Sequence, residues 1–198
     1  MFPCMILSTD LYIYILTRHW ASHMDFARSM HADRSQHGYH SQCVQSNCCN
    51  NPFLRRKMKL IHRHGCVTSS PENVPIVHAV SMCGKMGAGA AKTLDDNYQI
   101  RSEFRSVPRN CPGVVPVQRG PRLIINVITK LSYFEKPTEH QIYVALSKLR
   151  DFLNFHDIRV IAITVFGCGR DKFPYQTLMQ YLWKIFGNSP VEFHMYHF

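Results

Sequence analysis

The stretch SMCGKMGAGAAKTL, residues 81–94, joins a glycine-rich segment to the start of a helical pattern. Gly84, Gly87 and Gly89 can adopt positive φ and let another group approach the backbone closely. Residues 90–94 then have the composition of the opening turns of a helix. Loops of this kind bind phosphates through free N–H groups and the positive end of the helix dipole. The stretch matches neither the P-loop nor the dinucleotide fingerprint, so alone it indicates either an anion site or a tight structural turn.

The stretch lies within a region of alternating apolar runs and helical patterns, which predicts one α/β domain over residues 58–198. Gly65 should end the first strand in a turn, and Thr138 with Gln141 forms a capping box before the clearest helix. Gly187 is placed to end the second amphipathic helix. The predicted strands are KLIHRHGCV, VPIVHAVS, GVVPVQ paired with LIINVITK across the turn RGPR, IRVIAITVFGCG and VEFHMYHF, and the helices are PTEHQIYVALSKLRDFLNFHD and PYQTLMQYLWKIFG.

The N-terminal part of the chain has a different character. It is polar, rich in His, Ser and Gln, and shows neither a strand period nor a helix period. Such a composition does not bury enough apolar surface to order a chain. Residues 1–57 are therefore predicted to be a disordered or poorly ordered extension.

Length, charge and cysteine content limit the classes of protein. The 198 residues suit one domain with a sizeable core, and the net charge of +10 suits a polyanionic ligand or simply solubility. The N-terminus lacks the charged region of a signal peptide, and MILSTDLYIYIL is too short and too polar to span a membrane. The eight cysteines are therefore expected to be free thiols of a nuclear or cytoplasmic protein.

A second glycine-rich loop, VFGCGRD at residues 165–171, also follows a buried strand. In open α/β sheets, ligands bind where loops leave the carboxyl ends of adjacent strands. Two such loops side by side could hold a diphosphate from both sides. The pairing favours an anion site over the interpretation of either loop as a turn alone.

Lys130 and Asp171 are the candidates for chemistry. Lys130 ends a buried strand, where a primary amine is unusual, although a lysine snorkelling at a sheet edge would also explain it. Asp171 ends the second glycine loop, where it could instead cap the following turn. Across one cleft, a desolvated amine could attack a sugar carbonyl to form a Schiff base, while the carboxylate transfers protons.

Three segments, HAVSMCGKMGAGAAKTL, INVITKLSYFEKPT and ITVFGCGRDKFPYQ, resemble macro domains in their order and spacing. They most resemble the subgroup of the terminal ADP-ribose protein glycohydrolase, the O-acyl-ADP-ribose deacylase type, over residues 58–198. The resemblance implies a three-layer sandwich with a central mixed sheet and helices on both faces. It implies release of ADP-ribose from modified glutamate and deacylation of O-acyl-ADP-ribose, with Lys130 as nucleophile and Asp171 as acid and base.

The resemblance also implies the partners and the ligand contacts. ADP-ribose and ADP-ribosylated proteins are the expected partners of a monomer that needs no cofactor or metal and binds neither membrane nor nucleic acid. The implied contacts are Ser81 with the substrate, Met86, Gly87, Ala88 and Gly89 with the distal ribose and its phosphate, Val165, Phe166, Gly167, Cys168, Gly169 and Arg170 with the diphosphate, and Phe198 near the adenosine.

The sequence departs from the family pattern after Gly65. The family carries Gly-Asp-Leu there, and its aspartate accepts a hydrogen bond from the adenine amino group, whereas this chain has Cys66 and Val67, which the resemblance places among the substrate contacts. A thiol is a weak acceptor. Loss of a charge-assisted hydrogen bond costs roughly 1.5–3 kcal/mol, so we expect adenine to be held about one to two decades more weakly.

Three other functions share some of these features. A non-catalytic ADP-ribose reader or an ADP-ribose-1″-phosphate phosphatase would use the same fold and loops. A nucleic-acid-binding module would use the net charge, but no run of interleaved aromatic and basic residues supports it. His64, His78, His140 and His194 are expected in the core or on the surface rather than as ligands.

Overall fold

The computed structural model describes residues 57–197, and the predictions for residues 1–56 and for Phe198 lie outside that range. The boundary between extension and domain stays a prediction. The described chain forms six strands and four α-helices, with a short 3-10 turn at Val67–Ser69. In chain order the elements are β1 (Lys59–His64), β2 (Ile76–Ser81), α1 (Gly89–Tyr98), α2 (Arg101–Ser106), β3 (Gly113–Arg119), β4 (Arg122–Lys130), α3 (Glu139–Phe155), β5 (Val160–Thr164), α4 (Tyr175–Phe186) and β6 (Glu192–His197).

The six strands form one mixed sheet in the order β1-β6-β5-β2-β4-β3. Every neighbouring pair is parallel except β3 and β4, which form the predicted antiparallel hairpin. Arg119 and Arg122 face each other at its end, so the connection is a two-residue loop in which Gly120 has φ +53°. The predicted mixed α/β sheet is therefore confirmed.

Alternate side chains of the inner strands enter two separate cores, one on each face of the sheet. Val77 of β2 and Ile125 of β4 pack with α3 and α4. The preceding residues, Ile76 and Ile124, pack with α1 and α2 on the opposite face. Because successive side chains of a strand point to opposite faces, a strand buried on both sides is apolar throughout. The helices cover both faces, as the resemblance implied.

The longest helix, α3, forms as its sequence predicts. Thr138 is its N-cap, and the Thr138 and Gln141 side chains each accept a hydrogen bond from the other residue's backbone N–H. A stripe at helical spacing, including Ile142, Leu146 and Leu149, is fully buried against the sheet. Burial of each such side chain contributes roughly 1.5–3 kcal/mol, so packing rather than capping dominates the stability of this helix.

Two local features differ from the sequence interpretation. The short helix α2 was not predicted, because six residues with one buried anchor, Phe104, show no usable period. Gly187 does end α4, but with φ −52° rather than in the left-handed conformation. A Cβ there would lie 2.5 Å from the Trp183 backbone oxygen, so this position requires glycine for space rather than for its conformational freedom.

A buried polar pair bridges two central strands. His78 and Asn126 are both 0% exposed, and the His78 Nε2 and Asn126 Oδ1 atoms are 2.7 Å apart. The Asn126 amide also donates to the Val115 backbone oxygen at 3.0 Å. Burial lowers the pKa of His78 to about 4. His78 is therefore a neutral core residue, in agreement with its predicted role.

The His78 pair should make folding stability depend on pH. His78 takes up a proton below about pH 6.5 in the unfolded chain, but only below about pH 4 in the native state. The contribution of His78 to the free energy of unfolding should therefore fall by about 3 kcal/mol as the pH drops from 7 to 4. Urea unfolding of the wild type and of His78→Gln, which keeps a polar partner for Asn126, measures the difference. An equal pH dependence in both proteins would contradict the assignment.

Candidate active site

A cleft of about 920 Å³ opens where β2, β4, β5 and β6 end at their carboxyl edge. This is the end of a parallel sheet at which α/β proteins bind ligands, and the volume suits a molecule of cofactor size. The strands β2 and β5 are hydrogen-bonded neighbours, so the two glycine-rich loops that follow them lie side by side. The predicted residues that line the cleft are Ser81, Met86, Gly87, Ala88, Gly89, Lys130, Val165, Gly167, Cys168, Gly169, Arg170 and Asp171.

The first glycine loop uses its glycines for different purposes. Gly84 and Gly89 adopt positive φ as expected, but Gly87 does not, and Met86 takes the left-handed conformation instead, with φ +45°. A Cβ on Gly84 would lie 2.8 Å from the Phe104 ring, so Gly84 serves packing against α2. A Cβ on Gly87 would meet only the Lys85 side chain, at 3.8 Å. A ligand can therefore approach the backbone closely at Gly87.

Two arginines hold the first glycine loop from behind. Arg109 Nε donates to the Met82 backbone oxygen at 2.8 Å, and Arg101 Nη2 donates to that of Met86 at 3.3 Å. The N-cap of α1, Ala88, has no side chain with which to cap the helix. The first N–H groups of an α-helix have no intrahelical partner. The first N–H groups of α1 therefore lie at the cleft, where they can donate hydrogen bonds to an anion.

The second glycine loop is attached to the core at both ends. Phe166 is 1% exposed and Phe173 is 7% exposed, and the Phe173 N–H donates to the Gly167 oxygen at 3.0 Å. Gly167 has φ +63° at the turn between them. Burial raises the pKa of the Cys168 thiol to about 11, so this side chain carries no negative charge at neutral pH. An anionic ligand would meet no repulsion there.

Lys130 and Asp171 form an ion pair inside the cleft. Their side chains are 9% and 17% exposed. The Lys130 ammonium also donates to the backbone oxygens of Glu135, at 2.9 Å, and Tyr133, at 3.5 Å. Both partners are thus brought from distant parts of the chain, a strand end and a loop, into direct contact at one wall of the cleft.

Neither of the simpler explanations, a lysine snorkelling at a sheet edge and an aspartate that caps a turn, fits the surroundings of these two residues. Lys130 ends β4, which lies between β2 and β3 rather than at the sheet edge, and its ammonium faces Asp171 rather than solvent. The N-cap of the helix after Asp171 is Pro174. Desolvation offsets most of the attraction in a buried ion pair, so such a pair adds little stability. Since the pair adds little stability, its position at the wall of the cleft makes it a candidate functional site.

The other end of the cleft lies beside β6. Tyr196 and His197 line it, and the His197 Nε2 and His62 Nδ1 atoms are 2.8 Å apart. Partial burial, together with the neighbouring His62 and His64, lowers the pKa of His197. The sequence analysis missed His197, although the carboxyl end of a predicted strand was the available signal. Phe198, the predicted adenosine contact, lies outside the described residues.

Three of the predicted contacts do not line the cleft. Val67 and Phe166 are 0% and 1% exposed and belong to the two cores. Cys66 is half-buried, and its Sγ accepts a hydrogen bond from Thr68 Oγ1 at 2.9 Å. The thiol that replaces the family's aspartate is therefore engaged with its own turn. Lys85 and Tyr133, which the sequence analysis did not select, do line the cleft.

Two further findings concern residues 57–197. No helix in this range is long and apolar enough to cross a membrane. The same range contains no group of three or more His, Cys, Asp or Glu side chains that could hold a metal ion. The four cysteines in it, Cys66, Cys83, Cys111 and Cys168, are free.

The described residues have the macrodomain fold. The macrodomain of Thermus aquaticus DarG superposes with a TM-score of 0.64, at 20% identity, over 71% of this chain and 99% of that one. Thermosipho africanus DarTG in complex with ADP-ribose matches with a TM-score of 0.62, at 13% identity, over 72% of this chain and 42% of that one. The macro-domain resemblance and the predicted architecture are thereby confirmed.

Among curated proteins, the chain is similar to ADP-ribose glycohydrolase OARD1. The Bos taurus protein is 20% identical over 138 residues, which cover 70% of this chain and 91% of that protein. The Homo sapiens protein has the same identity and coverage. No family model matches the sequence.

Proposed function

We propose that this protein is an ADP-ribose-binding hydrolase that removes ADP-ribose from modified glutamate side chains through a covalent intermediate on Lys130. The observation that carries the proposal is the Lys130–Asp171 ion pair in a cleft bordered by two glycine-rich loops. The similarity to ADP-ribose glycohydrolase OARD1 and to an ADP-ribose complex of DarTG supports the choice of ligand.

The cleft offers complementary groups for a diphosphate between its two loops. The α1 N-terminus and Gly87 present backbone on one side, and residues 167–170 present it on the other. The cationic side chains of Lys85, Lys92 and Arg170 also line the cleft. Backbone amides and cations together suit a ligand with two negative charges. The distal ribose would then lie toward Lys130.

The proposed reaction begins with proton transfer from the Lys130 ammonium to Asp171, its ion-pair partner. The free amine attacks C1″ of the distal ribose, the bond from C1″ to the ester oxygen breaks, and the glutamate carboxylate leaves with the bonding electrons. Asp171 donates its proton to O4″ as the C1″–O4″ bond opens and takes one proton from the nitrogen in exchange, which leaves a protonated imine. Water adds to the imine, and departure of the lysine nitrogen releases ADP-ribose. The same pair would act on O-acyl-ADP-ribose.

Incubation of the protein with a glutamate-ADP-ribosylated polypeptide tests the proposal. The expected result is release of free ADP-ribose and of an unmodified glutamate, both detected by mass spectrometry. In Asp171→Ala, solvent water can still take the Lys130 proton, but no group protonates O4″, so turnover should slow after attack and a sugar adduct should add mass to the chain. Binding of ADP-ribose without release would identify a reader, and release of inorganic phosphate from ADP-ribose-1″-phosphate would identify a phosphatase. Either result would overturn the proposal.

Three further expectations belong to this proposal. They are that the protein acts as a monomer on ADP-ribosylated proteins, that it needs no cofactor, and that it works in the nucleus or cytoplasm. The role of Cys66 in weakening adenine binding also stays a prediction.

A further inference from the structure

Large apolar side chains stand exposed directly beside the proposed nucleophile. In the segment Leu131–Glu135, which follows Lys130, the side chains of Leu131, Tyr133 and Phe134 are 47%, 49% and 73% exposed. Most large apolar side chains of the described residues are buried in the two cores. Exposed apolar residues that occur together, rather than singly, mark surfaces that contact another molecule.

The backbone of this segment is attached to the catalytic amine. The oxygens of Tyr133 and Glu135 accept hydrogen bonds from Lys130 Nζ, and the Ser132 N–H donates to Glu135 Oε2 at 3.1 Å. The Tyr133 and Phe134 rings contact each other edge to face, with centroids 5.4 Å apart. The backbone beneath the exposed rings is therefore held in place, so a partner that contacts them would lose little entropy in ordering this segment.

Two cations flank the exposed rings, while the one carboxylate of the segment, Glu135, accepts a hydrogen bond from the Ser132 N–H. Lys85 Nζ lies 3.7 Å from the centroid of the Tyr133 ring, and Arg170 is an exposed residue of the same cleft. Among the cleft-lining residues of the described chain, Asp171 provides the one carboxylate, and it is paired with Lys130. An acidic partner would therefore meet uncompensated cations at this end of the cleft.

We propose that the Leu131–Glu135 segment, with Lys85, is a docking surface for the polypeptide that carries the modified glutamate, and that it selects acidic and apolar residues beside that glutamate. The inference rests on the proposed function. The glutamate carboxyl must reach Lys130, so the polypeptide has to leave the cleft at this end. Extended chain rises about 3.3 Å per residue. The two or three residues on either side of the glutamate therefore pass over the exposed rings.

Binding of two nine-residue peptides tests this surface. Both carry ADP-ribose at a central position through a hydrolysis-resistant amide, one flanked by aspartate and leucine and the other by glycine and serine. The wild type should bind the first about tenfold more tightly, a difference of about 1.4 kcal/mol. Phe134→Ser should reduce that ratio to about one and leave the affinity for free ADP-ribose unchanged. Trp183→Ser, at an exposed aromatic residue outside the cleft, should keep the ratio.

Equal affinity for both peptides in the wild type, or an unchanged ratio in Phe134→Ser, would overturn the inference. Displacement of the peptide by an equal concentration of a ten-nucleotide single strand would assign the surface to nucleic acid and would also overturn it. The titration with free ADP-ribose distinguishes failure of the proposed function from failure of this inference alone. If free ADP-ribose does not bind at all, the proposed function fails and this inference fails with it, whereas ADP-ribose binding without peptide preference removes the inference alone.

Discussion

Lys130→Ala and Lys130→Arg are both expected to lower the rate of ADP-ribose release by roughly a thousandfold or more, as removal of a covalent nucleophile does. The alanine variant has no amine to attack C1″. The arginine variant keeps the positive charge beside Asp171, but a guanidinium stays protonated and forms no imine. Both variants should still bind ADP-ribose, because the two glycine-rich loops provide most of the proposed contacts.

Single-turnover release of ADP-ribose measures the first effect, and calorimetric titration with ADP-ribose measures the second. Lys136→Arg is the matched control, since this exposed lysine lies close in sequence and should tolerate arginine with full activity. Alanine at position 130 leaves the half-buried Asp171 without its partner, so a thermal melt should accompany that variant. Full activity of Lys130→Arg would end the covalent mechanism, although the fold and the ligand could remain as proposed.

Gly87→Val is expected to abolish the stabilisation that ADP-ribose gives to the folded protein. At about 100 times its Kd, a ligand that binds only the native state raises the free energy of unfolding by about 2.7 kcal/mol. Gly87 does not adopt positive φ, and a Cβ there meets only the Lys85 side chain, at 3.8 Å. The variant should therefore fold normally, while the branched side chain occupies the space that the ligand needs.

Thermal melts with and without ADP-ribose measure this effect. Gly87→Ala should retain part of the shift, because one methyl group fills less of the cleft. Gly84→Ala is the contrasting control, since its Cβ would lie 2.8 Å from Phe104 and should lower the melting temperature with no ligand present. An undiminished shift in Gly87→Val would remove this loop from the binding site. Absence of any shift in the wild type at millimolar ADP-ribose would contradict the proposal that ADP-ribose is the ligand.

The sequence predicted the elements whose signals are local. The stripe of α3, with its capping box at Thr138, and the apolar runs of β2, β4 and β5 each identify themselves within a few turns or residues. Once two glycine-rich loops were assigned to neighbouring strands, the position of the cleft followed from the general behaviour of parallel sheets. Lys130 was selected as a candidate because an amine at a buried strand end conflicts with its surroundings, and Asp171 because it ends the second glycine-rich loop.

The features that sequence reasoning missed depend on contacts between distant residues. Arg101 and Arg109 read as surface residues, and only the folded chain shows that they hold the backbone oxygens of Met86 and Met82. Residues 131–135 likewise have no periodic pattern, so their exposure depends on how the backbone turns around Lys130. Such roles are set by geometry that no short window of sequence contains.

The sheet order also has a consequence for biosynthesis. Among the described strands, β1 pairs only with β6. Lys59 therefore cannot pair until Glu192, which is 133 residues later in the chain, has been synthesised. At about 5–20 residues per second, the ribosome makes that intervening stretch in roughly 7–27 seconds. During this time the edge of β1 has no partner in the sheet. Strands β2 and β4, which carry Ser81 and Lys130, can pair much earlier, so the part of the cleft that holds the proposed nucleophile can form on the nascent chain before β6 is made.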